Sequence, residues 1–157
     1  MRKARLLSGL TLATLLLSPA AHAASDQTTV SVSANVVGTC KFTSTGTLAF
    51  GDLDPAMGGD VTQTGAVDFW CTKGVSYTIT DRGGLYDDTG TKRMEHDDAG
   101  ITEYLPYTFA FTGGASGTGN GPLSTLTLTY EGGVAQTDYE QATAGAYSDT
   151  VTLEINP

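Results

Sequence analysis

Outside the first 23 residues, the side chains with most chemistry to offer are Cys40, Cys71 and His96. A pair of cysteines can form a disulfide, a redox couple or part of a metal site. The chain has no Cys-x-x-Cys and one further histidine at most to add, so a structural disulfide is the expected role. The loop closed between them spans about 30 residues and is worth roughly 3–4 kcal/mol on the chain-entropy model. His96 sits in the polar run Glu95-His96-Asp97-Asp98. No Gly-x-Ser-x-Gly elbow accompanies it, so a Ser-His-Asp triad finds no support and a solvated loop histidine is expected. Carboxylate pairs for glycoside hydrolysis could be drawn from many acids, but none stands in an apolar setting. Asp87-Asp88 and Asp97-Asp98 offer oxygen ligands for calcium, yet neither fits an Asp-x-Asp-x-Asp-Gly loop with its closing Glu. We expect no enzyme activity and no catalytic, cofactor or metal site.

Those residues sit in an acidic, exportable chain. Its formal net charge is −9, with 17 acids against 8 Lys and Arg. Three of the cations, Arg2, Lys3 and Arg5, open a segment that continues with the apolar run Leu6–Leu17 and ends in Ala21-His22-Ala23. That is the pattern of a signal peptide, with cleavage expected after Ala23; the apolar run is too short and interrupted to span a bilayer. The remaining chain is of single-domain size. It has no further apolar run long enough for a membrane span, and no cationic cluster for nucleic acid or anionic lipid. We therefore expect no membrane insertion and no nucleic-acid partner.

Thr28-Thr29-Val30-Ser31-Val32-Ser33-Ala34-Asn35-Val36 is apolar at every even position from Val30 and polar at the odd ones. Such alternation predicts a strand with one face buried, and at a chain end it needs a sheet to complete, its own or a neighbour's. Further strands are predicted at 38–43, 47–51 (Leu48 and Phe50 alternating), 65–72, 75–80, 101–111, 123–130 and 146–155. Asp54-Pro55, Arg82-Gly83-Gly84, Asp88-Thr89-Gly90, Gly113-Gly114 and Glu131-Gly132-Gly133 read as turns, and 112–122 as a long loop. Short alternating strands with turns between them predict an antiparallel sandwich or barrel. Alternation puts Trp70 on the face opposite Cys71, partly exposed, and Tyr147 in the core with its hydroxyl on backbone.

Several pieces together resemble the spore coat protein U domain family, which includes subunits of archaic chaperone–usher pili. They are the alternating N-terminal strand, Gly38-Thr39-Cys40, the Leu48-x-Phe50-Gly51 strand, Cys71-Thr72, Arg93-Met94, Tyr104-Leu105-Pro106-Tyr107, and the ending Gly145-Ala146-Tyr147-Ser148-Asp149-Thr150-Val151. Phe50, Gly51, Tyr147, Asp149 and Val151 are the motif positions. The Trp-Gly pair that the family often shows after the aromatic strand is replaced here by Gly113-Gly114-Ala115-Ser116-Gly117.

The resemblance implies an all-β, incomplete immunoglobulin-like antiparallel β-sandwich that lacks its last strand and carries an N-terminal donor-strand extension. It implies three regions: a signal peptide (1–23), the extension (24–37) and the sandwich (38–157). It also implies a structural subunit of a surface pilus or fimbria, exported through the periplasm and assembled by donor-strand exchange. The partners implied are a periplasmic chaperone, an outer-membrane usher and other pilus subunits. Val30, Val32, Ala34 and Val36 would be the donor side chains, and Ala34 the shallow position at which exchange begins. The competing expectation is a monomeric exported sandwich that binds carbohydrate or a surface. The two differ in whether residues 28–36 fold back or reach out.

Overall fold

A computed structural model describes residues 23–157. The signal-peptide expectation therefore lies, but for Ala23, outside the described residues. The chain divides into two units, ending and beginning at Ala34 and Asn35. In the first unit the described residues, 23–34, are exposed and belong to no strand.

The second unit is almost entirely β. Among the described residues it holds β1 (Cys40–Phe42), β2 (Val61–Cys71), β3 (Ser76–Asp81), β4 (Lys92–His96), β5 (Tyr104–Gly113), β6 (Ser116–Thr118), β7 (Leu126–Val134), the single-turn helix α1 (Gln136–Tyr139), β8 (Tyr147–Ser148) and β9 (Leu153–Asn156). One sheet has the order β1-β2-β7-β5-β4-β8 and the other β6-β3-β9. All pairings are antiparallel.

Alternation explains the packing. Val67, Phe69 and Cys71 of β2 point inward with Leu128 and Tyr130 of β7, and meet Tyr77 and Ile79 of β3 in one apolar core. Phe69 packs edge-on against Tyr77, with ring centres 5.0 Å apart. Cys40 and Cys71 are Cα partners across β1 and β2 and are joined as a disulfide. Trp70 is half-buried on the outer face, as alternation predicts. A second core, built on Leu105, Tyr107, Val134 and Tyr139, lies against the same large sheet. No strand of the small sheet contributes to it among the described residues, and that asymmetry creates the site described next.

Several predicted elements need correction. Residues 47–51 join no ladder: Leu48 and Phe50 are half-buried in alternation with exposed neighbours, but their backbone is unpaired. β2 starts at Val61, four residues before the predicted strand, because its polar half pairs fully with β7. The predicted turn Glu131-Gly132-Gly133 is the interior of β7. Gly132 is there for space: a Cβ would overlap Leu48 Cδ2 and lie 2.6 Å from the Thr108 carbonyl. The predicted loop 112–122 contains β6, which pairs with β3. β4, carrying Arg93 and Met94, was not predicted as a strand; its charged sequence hides the pattern because Lys92 is held among acids between the layers. The predicted strand 146–155 is two strands, β8 and β9, in different sheets.

Candidate strand-binding groove

The break between β8 and β9 has a physical cause in Asp149. Its Oδ1 accepts the Leu85 N–H (2.8 Å) and its Oδ2 accepts the Tyr107 hydroxyl (2.6 Å). These bonds pull Asp149 out of both ladders. Pairing resumes at Thr152, whose N–H donates to the Gly83 carbonyl and whose own carbonyl accepts from Arg82. Burial, and then the hydrogen bond and charge of Asp149, push the Tyr107 phenol well above its ordinary value. Lys92 lies nearby, 2.9 Å from Asp81 Oδ2 and 3.4 Å from Asp87 Oδ2, with its ammonium 5.9 Å from the Phe109 ring centre. Burial opposes its charge, but the bond to and attraction of Asp81, with help from Asp87, raise its pKa on balance.

Opposite this wall runs the segment 46–53. The Tyr130 hydroxyl donates to the Thr47 carbonyl (3.1 Å), and Leu48 and Phe50 rest over Gly132. Gly65 leaves room for the Tyr130 ring, so the segment lies close on the sheet. Gly51 adopts φ of 73°, a left-handed conformation that favours glycine.

Between the two walls is an open groove of about 960 Å³. Leu105, Tyr107, Phe109 and Tyr130 form its floor, 46–53 one wall and 142–151 with Leu153 the other. The second wall includes β8 and the start of β9, which are edges of their sheets: β8 ends the large sheet and β9 the small one. Among the described residues no backbone hydrogen bond joins 46–53 to 147–153. Unpaired backbone on both sides of an apolar floor is the setting in which an extended chain adds as a strand.

All five motif positions lie on this groove: Phe50 and Gly51 on one wall, Tyr147, Asp149 and Val151 on the other. Tyr147 donates its hydroxyl to the Thr143 carbonyl (2.9 Å), which is the expected backbone bond. Its phenol is raised by burial and then by the nearby Glu103, while Glu103 is lowered by the hydrogen bonds it accepts from Thr143. Val30, Val32 and Val36 are 81%, 90% and 82% exposed, and Ala34 is exposed as well. Reasoning from sequence missed Tyr130 and Tyr139, whose hydroxyls hold the Thr47 and Gly59 carbonyls.

His96 corrects the expectation of a solvated loop residue. It ends β4, is 6% exposed, and stacks edge-on against Tyr147 with ring centres 4.9 Å apart. Strand pairing with β8 and the absence of a side chain at Gly145 bury it. The acids offered above for calcium are engaged elsewhere: Asp87 with Lys92, Asp88 with Arg93, Asp97 with Ser148, and Asp98 with the Gly100 N–H. Among the described residues no group of three or more His, Cys, Asp or Glu is placed to hold a metal, and no helix is long and apolar enough to cross a membrane.

Sheets, core and groove define an immunoglobulin-like antiparallel β-sandwich left open along one side. Residues 26–154 match the Spore Coat Protein U domain, and the chain belongs to that family. Its fold is similar to a chain in the crystal structure of the CsuC–CsuE chaperone–tip adhesion subunit pre-assembly complex from the archaic chaperone–usher Csu pili of Acinetobacter baumannii. The TM-score is 0.51 at 17% identity, covering 76% of this chain and 40% of that one. The chain thus spans well under half the length of that structural relative. No curated protein matches it.

Proposed function

We propose that this chain is a structural subunit of a chaperone–usher pilus or fimbria, polymerising by donor-strand exchange. The observation that carries the proposal is the groove: two facing walls whose backbones do not pair with each other across an apolar floor, in a chain whose alternating segment 28–36 lies in no sheet. Family membership and the fold shared with a chain of a chaperone–subunit pre-assembly complex support it. In this reading a periplasmic chaperone fills the groove first, and the extension of the next subunit then replaces it at an outer-membrane usher. Val30, Val32, Ala34 and Val36 enter successive positions along the groove, and main-chain bonds supply register-independent affinity. Each valine contributes roughly 1.5–3 kcal/mol before ordering costs. The product is a cell-surface filament, reached through the periplasm after removal of residues 1–23.

The test is deletion of residues 24–36. The truncated subunit should remain chaperone-bound and form no polymer, and a synthetic Thr28–Val36 peptide should rescue it from aggregation. The full chain should give boiling-resistant ladders on a denaturing gel. A truncated chain that is a stable monomer without chaperone, and that ignores the peptide, would refute the proposal and favour a self-contained binding module.

A further inference from the structure

The groove wall 142–148 backs onto a second, smaller cavity of about 380 Å³ lined by Tyr86, Glu95, Asp97, Asp98 and Ser148. His96 stands between the two. Its ring faces the smaller cavity on one side and packs on Tyr147 and Gly145, both lining the groove, on the other. A Cβ on Gly145 would overlap Nε2, so ring and wall have no slack.

The hydrogen bonds settle which form of the ring this geometry needs. The Asp98 backbone N–H donates to Nδ1 at 3.0 Å. An N–H can only donate, so Nδ1 carries a lone pair and the proton is on Nε2, which points at the Ala144 carbonyl 3.5 Å away. Around this ring the wall is tied to β4 and the loop after it: Asp97 N–H donates to the Ala146 carbonyl, Ser148 Oγ donates to Asp97, and Thr143 N–H donates to Glu103. Adding a proton to Nδ1 sets a donor against the Asp98 N–H. The ring must then give up that bond or turn toward a carboxylate, and turning withdraws it from Tyr147 and Gly145. The titratable groups around it are Tyr86 and, on its own strand, Glu95, both lining the smaller cavity, Asp97, Asp98 and Glu103 in the adjoining loop, and Tyr147 on β8. The four carboxylates supply negative charge that accommodates a cationic ring, and Tyr147 loses its edge-on partner.

We infer that His96 is a positioning residue for the groove, whose neutral ring holds the 142–148 wall in its strand-accepting shape and whose protonation releases it. Protonation at Nδ1 costs the ring its bond from Asp98, so it weakens the grip on an inserted strand. The inference rests on the strand-accepting reading of the groove.

The exported chain, residues 24–157, loaded with a fluorescein-labelled Thr28–Val36 peptide, provides the test. Loss of one neutral hydrogen bond should speed peptide release about fivefold once the ring is protonated, followed in a pH series downward from pH 7.5. His96→Asn places an oxygen acceptor near the Nδ1 position and does not titrate, so its release rate should stay flat. A flat rate in the parent chain, or an unchanged pH response in His96→Asn, overturns the inference. NMR of the unloaded chain provides the second measurement: ring nitrogens should report the Nε2–H tautomer at pH 7.5, and the Asp98, Tyr147 and Ser148 amides should shift together with ring protonation. If the peptide binds at no pH, the strand-accepting reading falls on its own, and these amide shifts still decide His96. Movement confined to Asp98 overturns the positioning role.

Discussion

Replacing Tyr107 by Phe removes one oxygen and tests whether Asp149 organises the groove wall. In the native chain the Tyr107 hydroxyl donates to Asp149 Oδ2 at 2.6 Å, while Oδ1 accepts from Leu85. Tyr107 is buried, 8% exposed, and Asp149 is half-buried on the groove wall, so water replaces the lost bond only in part. A hydrogen bond to a charged acceptor contributes about 1.5–3 kcal/mol. Tyr107→Phe should therefore destabilise the sandwich by about 1.5–3 kcal/mol, lowering Tm on the order of 5–10 °C. Asp149→Ala loses both bonds and should cost about 3–5 kcal/mol. The double variant should cost about the same as Asp149→Ala alone, because the Tyr107 hydroxyl then has no partner to lose. Equilibrium urea unfolding of the disulfide-intact chain measures all three.

The pH dependence adds an independent check. The Tyr107 pKa is raised in the folded state by burial and then by Asp149. Above about pH 10, where an unfolded tyrosine ionises, the folded chain holds more protons than the unfolded one, so stability falls as pH rises. That contribution is complete below pH 10 and should be absent in Tyr107→Phe, whose stability curve should be flatter between about pH 10 and 11. A cost below about 0.5 kcal/mol, or an additive double variant, would refute the account of the β8–β9 break.

Gly132→Ala should cost more than about 2 kcal/mol and weaken peptide capture, since the new methyl meets Leu48 and the Thr108 carbonyl, whereas Gly133→Ala, with its closest contact at 3.2 Å to Thr108 Oγ1, should cost under about 1 kcal/mol; urea unfolding separates them. Replacing both Cys40 and Cys71 by Ser should cost about 3–4 kcal/mol in unfolding and reduce yield in the periplasm, a loss that an unchanged midpoint would contradict. Lys92→Met leaves Asp81 and Asp87 facing each other without a cation and should cost about 2 kcal/mol, discounted for their partial exposure, as read by thermal unfolding at pH 7. Ala34→Val should slow exchange of one subunit's extension for the chaperone, measured as the rate of ladder formation; an unchanged rate removes Ala34 from the initiating position.

The strands legible in the sequence were those with one face in the core. Val67, Phe69 and Cys71, or Tyr77 and Ile79, alternate because one neighbour of each meets apolar side chains and the next meets water. β4 was not legible. Its pattern Lys-Arg-Met-Glu-His follows charge partners, with Lys92 answered by Asp81 and Asp87 and Arg93 by Asp88 and the Tyr104 ring. Periodicity does not encode partners that arrive from distant loops. The Gly-Gly of β7 reads locally as a turn, and only the approach of Leu48 and the Thr108 carbonyl shows why a strand needs glycine there.

By itself the sequence determined the β class, the pairing of Cys40 with Cys71 as the natural outcome of two cysteines, and the apolar stripe of residues 30–36, since each depends on residue type and spacing along the chain. Tertiary structure alone decided that the five motif residues converge on one groove, that 46–53 and 147–153 face each other without pairing to one another, and that His96 is buried beside Tyr147. The physical reason is that these features depend on which sheet a segment joins. That choice is made by long-range hydrogen bonds such as those of Asp149, which no local pattern records.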